Sequence, residues 1–221
     1  PPGDVLISAL SGAMPNTLEA QIALAKAYLA AGKKDRAATI AREIWVNDVL
    51  DAKTEQKVLD NLGSLLTSKD HWARAERLMM NDRASAVERL IKYMTPGQKS
   101  LALARNAVSR NGKDAKTLLD KVDPAYKTNP IYYFSRAERA RQFELWDDAI
   151  AYLNKGQAND PVAEDWWYER RTLIRQLLSI GDAKRAYEAA AAYTSGPEGR
   201  LVEARFHSGW IALSFLKEPK A

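Results

Sequence analysis

The chain has no cysteine and only two histidines, His71 and His207, among its 221 residues. The first absence excludes disulfides, thiolate nucleophiles and cysteine-based zinc sites, and leaves the redox compartment open, because neither an oxidising nor a reducing environment alters such a chain. No apolar run approaches the roughly 20 residues that a membrane span requires, so no membrane span is expected. The N-terminal "PPGDVLISALSG" lacks a basic stretch followed by a long apolar one; a signal peptide, if the parent protein is exported, is not expected within these residues. Phosphate-cradling loops of the GxGxxG or GxxxxGK[ST] type and EF-hand spacings are absent, which argues against nucleotide and calcium chemistry. No HExxH or His–Asp–Ser grouping surrounds either histidine. No catalytic residue, cofactor site or metal site is therefore expected from motif and spacing.

What is present is a soluble composition, 46% hydrophobic and 28% charged, too apolar for a disordered tail. The net charge of +5 is spread through mixed-sign helical heptads such as "KKDRAATIAREIW" and "FSRAERARQFELWDD". That pattern describes solvated helix faces rather than a basic patch. The nearest approach to a nucleic-acid surface, "YYFSRAERARQ" (132–142), places Tyr132, Arg136 and Arg139 on one face, which equally suits a helix with one packed and one charged side. No nucleic-acid partner is expected.

Helical periodicity fills almost every window. In "TLEAQIALAKAYLA" Leu18, Ile22, Ala25 and Leu29 form one stripe, with Asn16 or Thr17 as N-cap and Gly32 as the stop. In "KKDRAATIAREIWVN" Ala37, Ile40, Ala41, Ile44 and Trp45 form a second stripe, so the two segments predict an antiparallel hairpin. The phrase recurs: "GKKDRAATIA", "ELWDDAIAYL" and "GDAKRAYEAA" align Ala37, Ala149 and Ala186, each five residues beyond a turn, where a small side chain lets helices approach closely. Ala86 and Ala115 lie near the same register, and the separations scatter around the roughly 34-residue period of tetratricopeptide helix pairs. Polar loops are expected at "SKDH" (68–71), "MTPGQ" (94–98), "VDPAYKTNP" (122–130), "NDPVAED" (159–165) and "TSGPEG" (194–199). No alternation of β-branched residues occurs. The expected fold is an all-α, right-handed superhelical solenoid of about twelve helices in degenerate antiparallel hairpins, one domain over 1–221.

The run "DWWYERR" (165–171) raises the question of a stacking site. On a helix, Trp166 aligns with Leu173 and Leu177, and Trp167 with Ile174 and Leu178, with Arg170 between the two lines. Helix packing is therefore expected of both tryptophans. Arg170 is expected to be buried and paired with a carboxylate of a neighbouring helix, Glu203 or Glu138, because an unpaired buried charge is costly. Glu169 and Arg171 fall off the stripe and are expected in solvent. His71 reads as a polar residue of a first helical turn, and His207 as oriented by a hydrogen bond toward Glu203, one turn earlier.

"EDWWYERR" (164–171), "LLSIGDAKRAYEAA" (177–190) and "EARFHSGWIALSFL" (203–216), which includes Trp210, together with "ALAKAYLAAGKKDRAATIAREIW" (23–45), "LLTSKDHWARAERLMMNDRASAV" (65–87) and "NPIYYFSRAERARQFELWDDAIAYL" (129–153), resemble in the same order the helical region of soluble lytic murein transglycosylases of the alphaproteobacterial type. That resemblance implies a periplasmic parent enzyme that cleaves the β-1,4 bond between N-acetylmuramic acid and N-acetylglucosamine in peptidoglycan, forming a 1,6-anhydro product. It also implies a U-shaped helical domain whose partners are peptidoglycan, through the parent enzyme, and a separate C-terminal lysozyme-like catalytic domain. The family's catalytic glutamate is followed by serine, and no Glu-Ser pair occurs here. The resemblance thus implies the scaffold domain without the catalytic one. A tetratricopeptide-like protein-interaction module is the alternative that the hairpins themselves allow.

Overall fold

The computed structural model describes residues 3–10, 13–156 and 163–217. Among them are thirteen α-helices and no strand, as the periodicity predicts. None of these helices is long and apolar enough to cross a membrane. The chain divides into two compact units, Pro1–Leu78 with Arg83–Thr95, and Met79–Asp82 with Pro96–Ala221.

The first unit contains α1 (Gly3–Leu10), α2 (Leu18–Ala30), α3 (Lys34–Asn47), α4 (Ala52–Leu62), most of α5 (Ser68–Met80) and α6 (Ala84–Leu90). Thr17 caps α2 by accepting a bond from the Ala20 amide. The predicted stripe of α3 is buried throughout: Ala37, Ile40, Ala41, Ile44 and Trp45. On α2 the buried face includes Leu24 and Ala27 beside Ile22 and Ala25, while Leu29, expected inside, is exposed in the last turn. This helix touches α1, α3 and α4, so its covered face is broader than one stripe.

The second unit contains α7 (Pro96–Ser109), α8 (Ala115–Asp120), α9 (Pro130–Gln142), α10 (Trp146–Gly156), α11 (Ala163–Ser179), α12 (Ala183–Ala191) and α13 (Glu198–Ile211), the last continued by a π-helical turn, Ala212–Leu216. Sequential helices pack as hairpins, α7 with α8, α9 with α10, α11 with α12. The expected loops resolve into helix starts: Ser68 and Pro96 open α5 and α7, Asn129 caps α9 through the Ile131 amide, and α13 begins at Glu198. Residues 159–162 of the expected "NDPVAED" loop lie outside the described residues.

One turn geometry unites the hairpins. Gly32, Asp82, Asn111, Glu144 and Gly181 all have positive φ, between 49° and 81°. At each, the amide of this residue bonds back to the carbonyl three residues earlier, and the next amide bonds to the carbonyl five residues earlier, for example Lys33 N–H to Tyr28 O at 2.8 Å and Asp182 N–H to Leu177 O at 2.8 Å. This is the Schellman termination, which satisfies orphan carbonyls at a helix end. Ala37, Ala149 and Ala186, five residues after three of these turns, have no exposed surface. Ala86 and Ala115, four residues after Asp82 and Asn111, are buried as well, with Val87 buried beside Ala86.

Candidate functional site

The first helices of successive hairpins in the second unit are tied together by arginine–carboxylate pairs. Arg105 of α7, completely buried, donates to Glu138 of α9, to Asp82 and to the Met79 carbonyl at 3.0 Å. Arg141, one turn beyond Glu138, grips both carboxylate oxygens of Glu169 on α11. Two residues further, Arg171 donates to Glu203 of α13 at 2.8 Å, and Glu203 also accepts from Arg200 at 2.9 Å. α9 and α11 thus each carry an acid facing the preceding first helix and a base facing the next. The bidentate contact of Arg141 with Glu169 fixes both distance and orientation between α9 and α11, and the single contacts of Arg105 and Arg171 tie the helices on either side.

These pairs correct three expectations. Glu169 is buried, 8% exposed, and not in solvent. Arg171 is part-buried against Glu203, not free on the surface. Glu203 and Glu138, expected as partners of Arg170, serve Arg171 with Arg200, and Arg105, respectively. Sequence periodicity describes how one helix meets one neighbour, whereas α11 is packed by α9, α10, α12 and α13 together, so positions off its main stripe are covered as well. The available signal was an acid and a base two or three residues apart, Glu138 with Arg141 and Glu169 with Arg171, recurring one repeat apart.

Trp166 and Trp167 have no exposed surface. Trp166 meets Phe134 edge-on, ring centroids 5.1 Å apart, and its six-membered ring presses on Gly156 at the end of α10. Trp167 lies against Tyr193 and His207, at 5.3 and 5.4 Å. Arg170 is fully buried; it donates to Asn154 Oδ1 at 2.7 Å and to the Ala189 carbonyl at 3.1 Å, binding α11 to α10 and α12. Burial draws its pKa down to about 10, so it stays charged at neutral pH. Tyr168 is held between the guanidinium groups of Arg171 and Arg200, 5.1 and 4.9 Å from its ring centre, and donates to Glu164 at 2.9 Å.

Beside the ladder opens a cleft of about 380 Å³. Asp82, Glu138, Asp165 and Glu169 line it with Arg141 as the one basic residue, and Met80, Asn81, Phe134, Tyr168 and Thr172 complete its wall. Burial raises the pKa of Glu169, with the charge of Glu138 adding to the effect and Arg141 opposing it. Asp82 is raised as well, by desolvation and by Glu138, against the pull of Arg105. The chain-wide positive charge does not describe this surface: its lining is acidic, and it offers hydrogen-bond acceptors, a phenol and a hydroxyl. Such a lining suits cationic or hydroxyl-rich ligands rather than anionic ones.

The remaining candidates are placed as follows. His207 Nδ1 lies 2.8 Å from the backbone carbonyl of Glu203, so the orienting bond goes to the main chain and not to the carboxylate. Trp210 is 43% exposed, and its ring meets that of Phe215 in a T-shaped contact at 5.2 Å. His71 stacks on Tyr93 at 3.9 Å and meets Trp45 edge-on at 5.5 Å, an aromatic role rather than the expected polar one. Beside it, buried Arg74 donates to Glu55 at 2.7 Å and to the Trp45 carbonyl, while Glu55 also accepts from Arg89. Asp70 and Thr67 cap α5 reciprocally, and Arg42 donates to Asp70 at 2.6 Å. No protein-family model, curated protein or solved structure matches the chain.

Proposed function

We propose that the chain is the non-catalytic helical scaffold of a periplasmic peptidoglycan lytic transglycosylase, as its sequence resemblance implies, in the form of a superhelical array. The observation that carries this reading is the arginine–carboxylate ladder through α7, α9, α11 and α13, which spends its charged groups on fixing helix spacing. Rigid spacing is the property a frame for a glycan strand needs, and the cleft beside the ladder supplies acceptors, Tyr168 and Thr172 for sugar hydroxyls. The chain is expected to co-sediment with murein sacculi and to leave a murein zymogram uncleared. Clearing by the chain alone would contradict the scaffold reading. A second reading, a tetratricopeptide-like interaction module, is favoured by the position of the cleft between first helices of successive hairpins. Its acidic lining would then select a basic peptide, and capture of such a peptide without association with sacculi would move the assignment there.

A further inference from the structure

Asn111–Gly112 is the one Asn-Gly step among the 221 residues, and no Asp-Gly step occurs. Glycine leaves the backbone nitrogen after an asparagine unshielded, so this pair is the sequence most open to attack of that nitrogen on the side-chain amide. The step lies at the turn from α7 to α8, where Asn111 is exposed and left-handed, with φ 49°. Its nucleophile is occupied: the Gly112 N–H donates to the Ala107 carbonyl at 2.8 Å, and the Asn111 N–H to the Val108 carbonyl at 2.9 Å. Its electrophile is held as well, because Arg139 of α9 donates to Asn111 Oδ1 at 3.0 Å while its guanidinium lies over Phe143, 3.8 Å from the ring centre. In the left-handed well, ψ near about +47° turns the Gly112 nitrogen away from the Asn111 Cβ, whereas ring closure needs the two eclipsed. The closed turn therefore cannot react.

We infer that Asn111 is a self-modification site gated by this turn. When the turn opens, the Gly112 nitrogen gives its proton to a solvent base and bonds to the Asn111 Cγ. The Cγ–Nδ2 bond breaks, and ammonia leaves with a proton taken from solvent, so that a five-membered succinimide remains. Water then opens the ring at either carbonyl. Opening at Cγ gives aspartate with the main chain unchanged, and its carboxylate faces Arg139, so the turn closes again with a charged partner in place of a neutral one. Opening at the main-chain carbonyl gives isoaspartate, which adds a carbon to the backbone at position 111. The two Schellman bonds close rings of fixed size, so the lengthened chain cannot remake both, and α8 loses its fixed exit from α7. One opening event thus leads to two irreversible products, one that tightens the hairpin and one that frees it.

The test incubates the chain at mildly alkaline pH, folded and in concentrated urea, and follows the Lys-C peptide 100–113 by mass spectrometry, with electron-transfer fragmentation to separate aspartate from isoaspartate. In urea Asn111 is expected to be the first asparagine converted. In the folded chain its rate is expected to fall by the factor by which the Gly112 amide is protected from hydrogen exchange, within about threefold, since both reactions need the same local opening. Arg139→Ala is expected to raise both rates in the folded chain by the same factor, about tenfold, the worth of one hydrogen bond to a charged group, and to leave the rate in urea unchanged. A folded chain modified as fast as the unfolded one overturns the inference, and so does one that resists modification at Asn111 while the Gly112 amide exchanges freely. Conversion of another asparagine ahead of Asn111 in urea overturns it too. If Arg139→Ala fails to fold, the agreement of the two rates in the unaltered chain decides by itself.

Discussion

Gly156→Ala tests how the double tryptophan is seated. An ideal Cβ at position 156 falls 2.1 Å from Cη2 of Trp166 and 2.8 and 2.9 Å from the adjoining ring carbons. Carbon atoms pack best at about 3.5–4.0 Å, so the indole must retreat by more than about 1 Å. It has nowhere open to go, being wholly buried and edge-on to Phe134 at 5.1 Å. Overpacking of this kind costs about 1–3 kcal/mol, and the better helix propensity of alanine returns up to about 1 kcal/mol. The net expectation is a loss of about 1–2 kcal/mol and a Tm lower by about 3–6 °C, read by urea and thermal unfolding followed by tryptophan fluorescence. In a Trp166→Leu background the added methyl meets a smaller side chain. The double variant should therefore be more stable than the sum of the single losses predicts, by about 1 kcal/mol or more. Equal or greater stability of Gly156→Ala alone would refute the close approach.

Removing one member of the ladder should be worse than removing both. Glu169→Ala leaves the nearly buried Arg141 without its main partner and is expected to cost about 3 kcal/mol, whereas Arg141→Met with Glu169→Leu should recover most of it in urea unfolding. The His71 ring has its pKa lowered, first by burial and then by Lys92, against Asp70. Its unfolded counterpart near 6.5 binds protons more readily, so its contribution is complete above about pH 6.5 and fades as the pH falls through the folded value. His71→Phe should keep the stack on Tyr93 and flatten the acid limb of a stability–pH profile below about pH 6.5. At the hairpin turns, Glu144→Gly should stabilise by about 0.5 kcal/mol by relieving a left-handed non-glycine residue, and Gly181→Ala should destabilise by about 1 kcal/mol, both measured by thermal unfolding.

The sequence by itself determined the helices, their pairing into hairpins and the close-approach alanines, because amphipathic period and short polar turns are local properties. The burial of Trp166, Trp167 and Arg170 followed from the angular positions of one helix. The same reasoning misplaced Glu169, Arg171 and the partner of Arg170, since it allows a helix a single covered face. Only the tertiary structure decided which acid meets which base, because several helices converge on α11 and each carboxylate has more than one guanidinium within reach along the chain. It also decided that Asp82, Asn111 and Glu144 do at their turns what Gly32 and Gly181 do at theirs. Nothing in a side chain with a Cβ announces a left-handed backbone; the Schellman hydrogen bonds and the packing of the two helices it joins impose it.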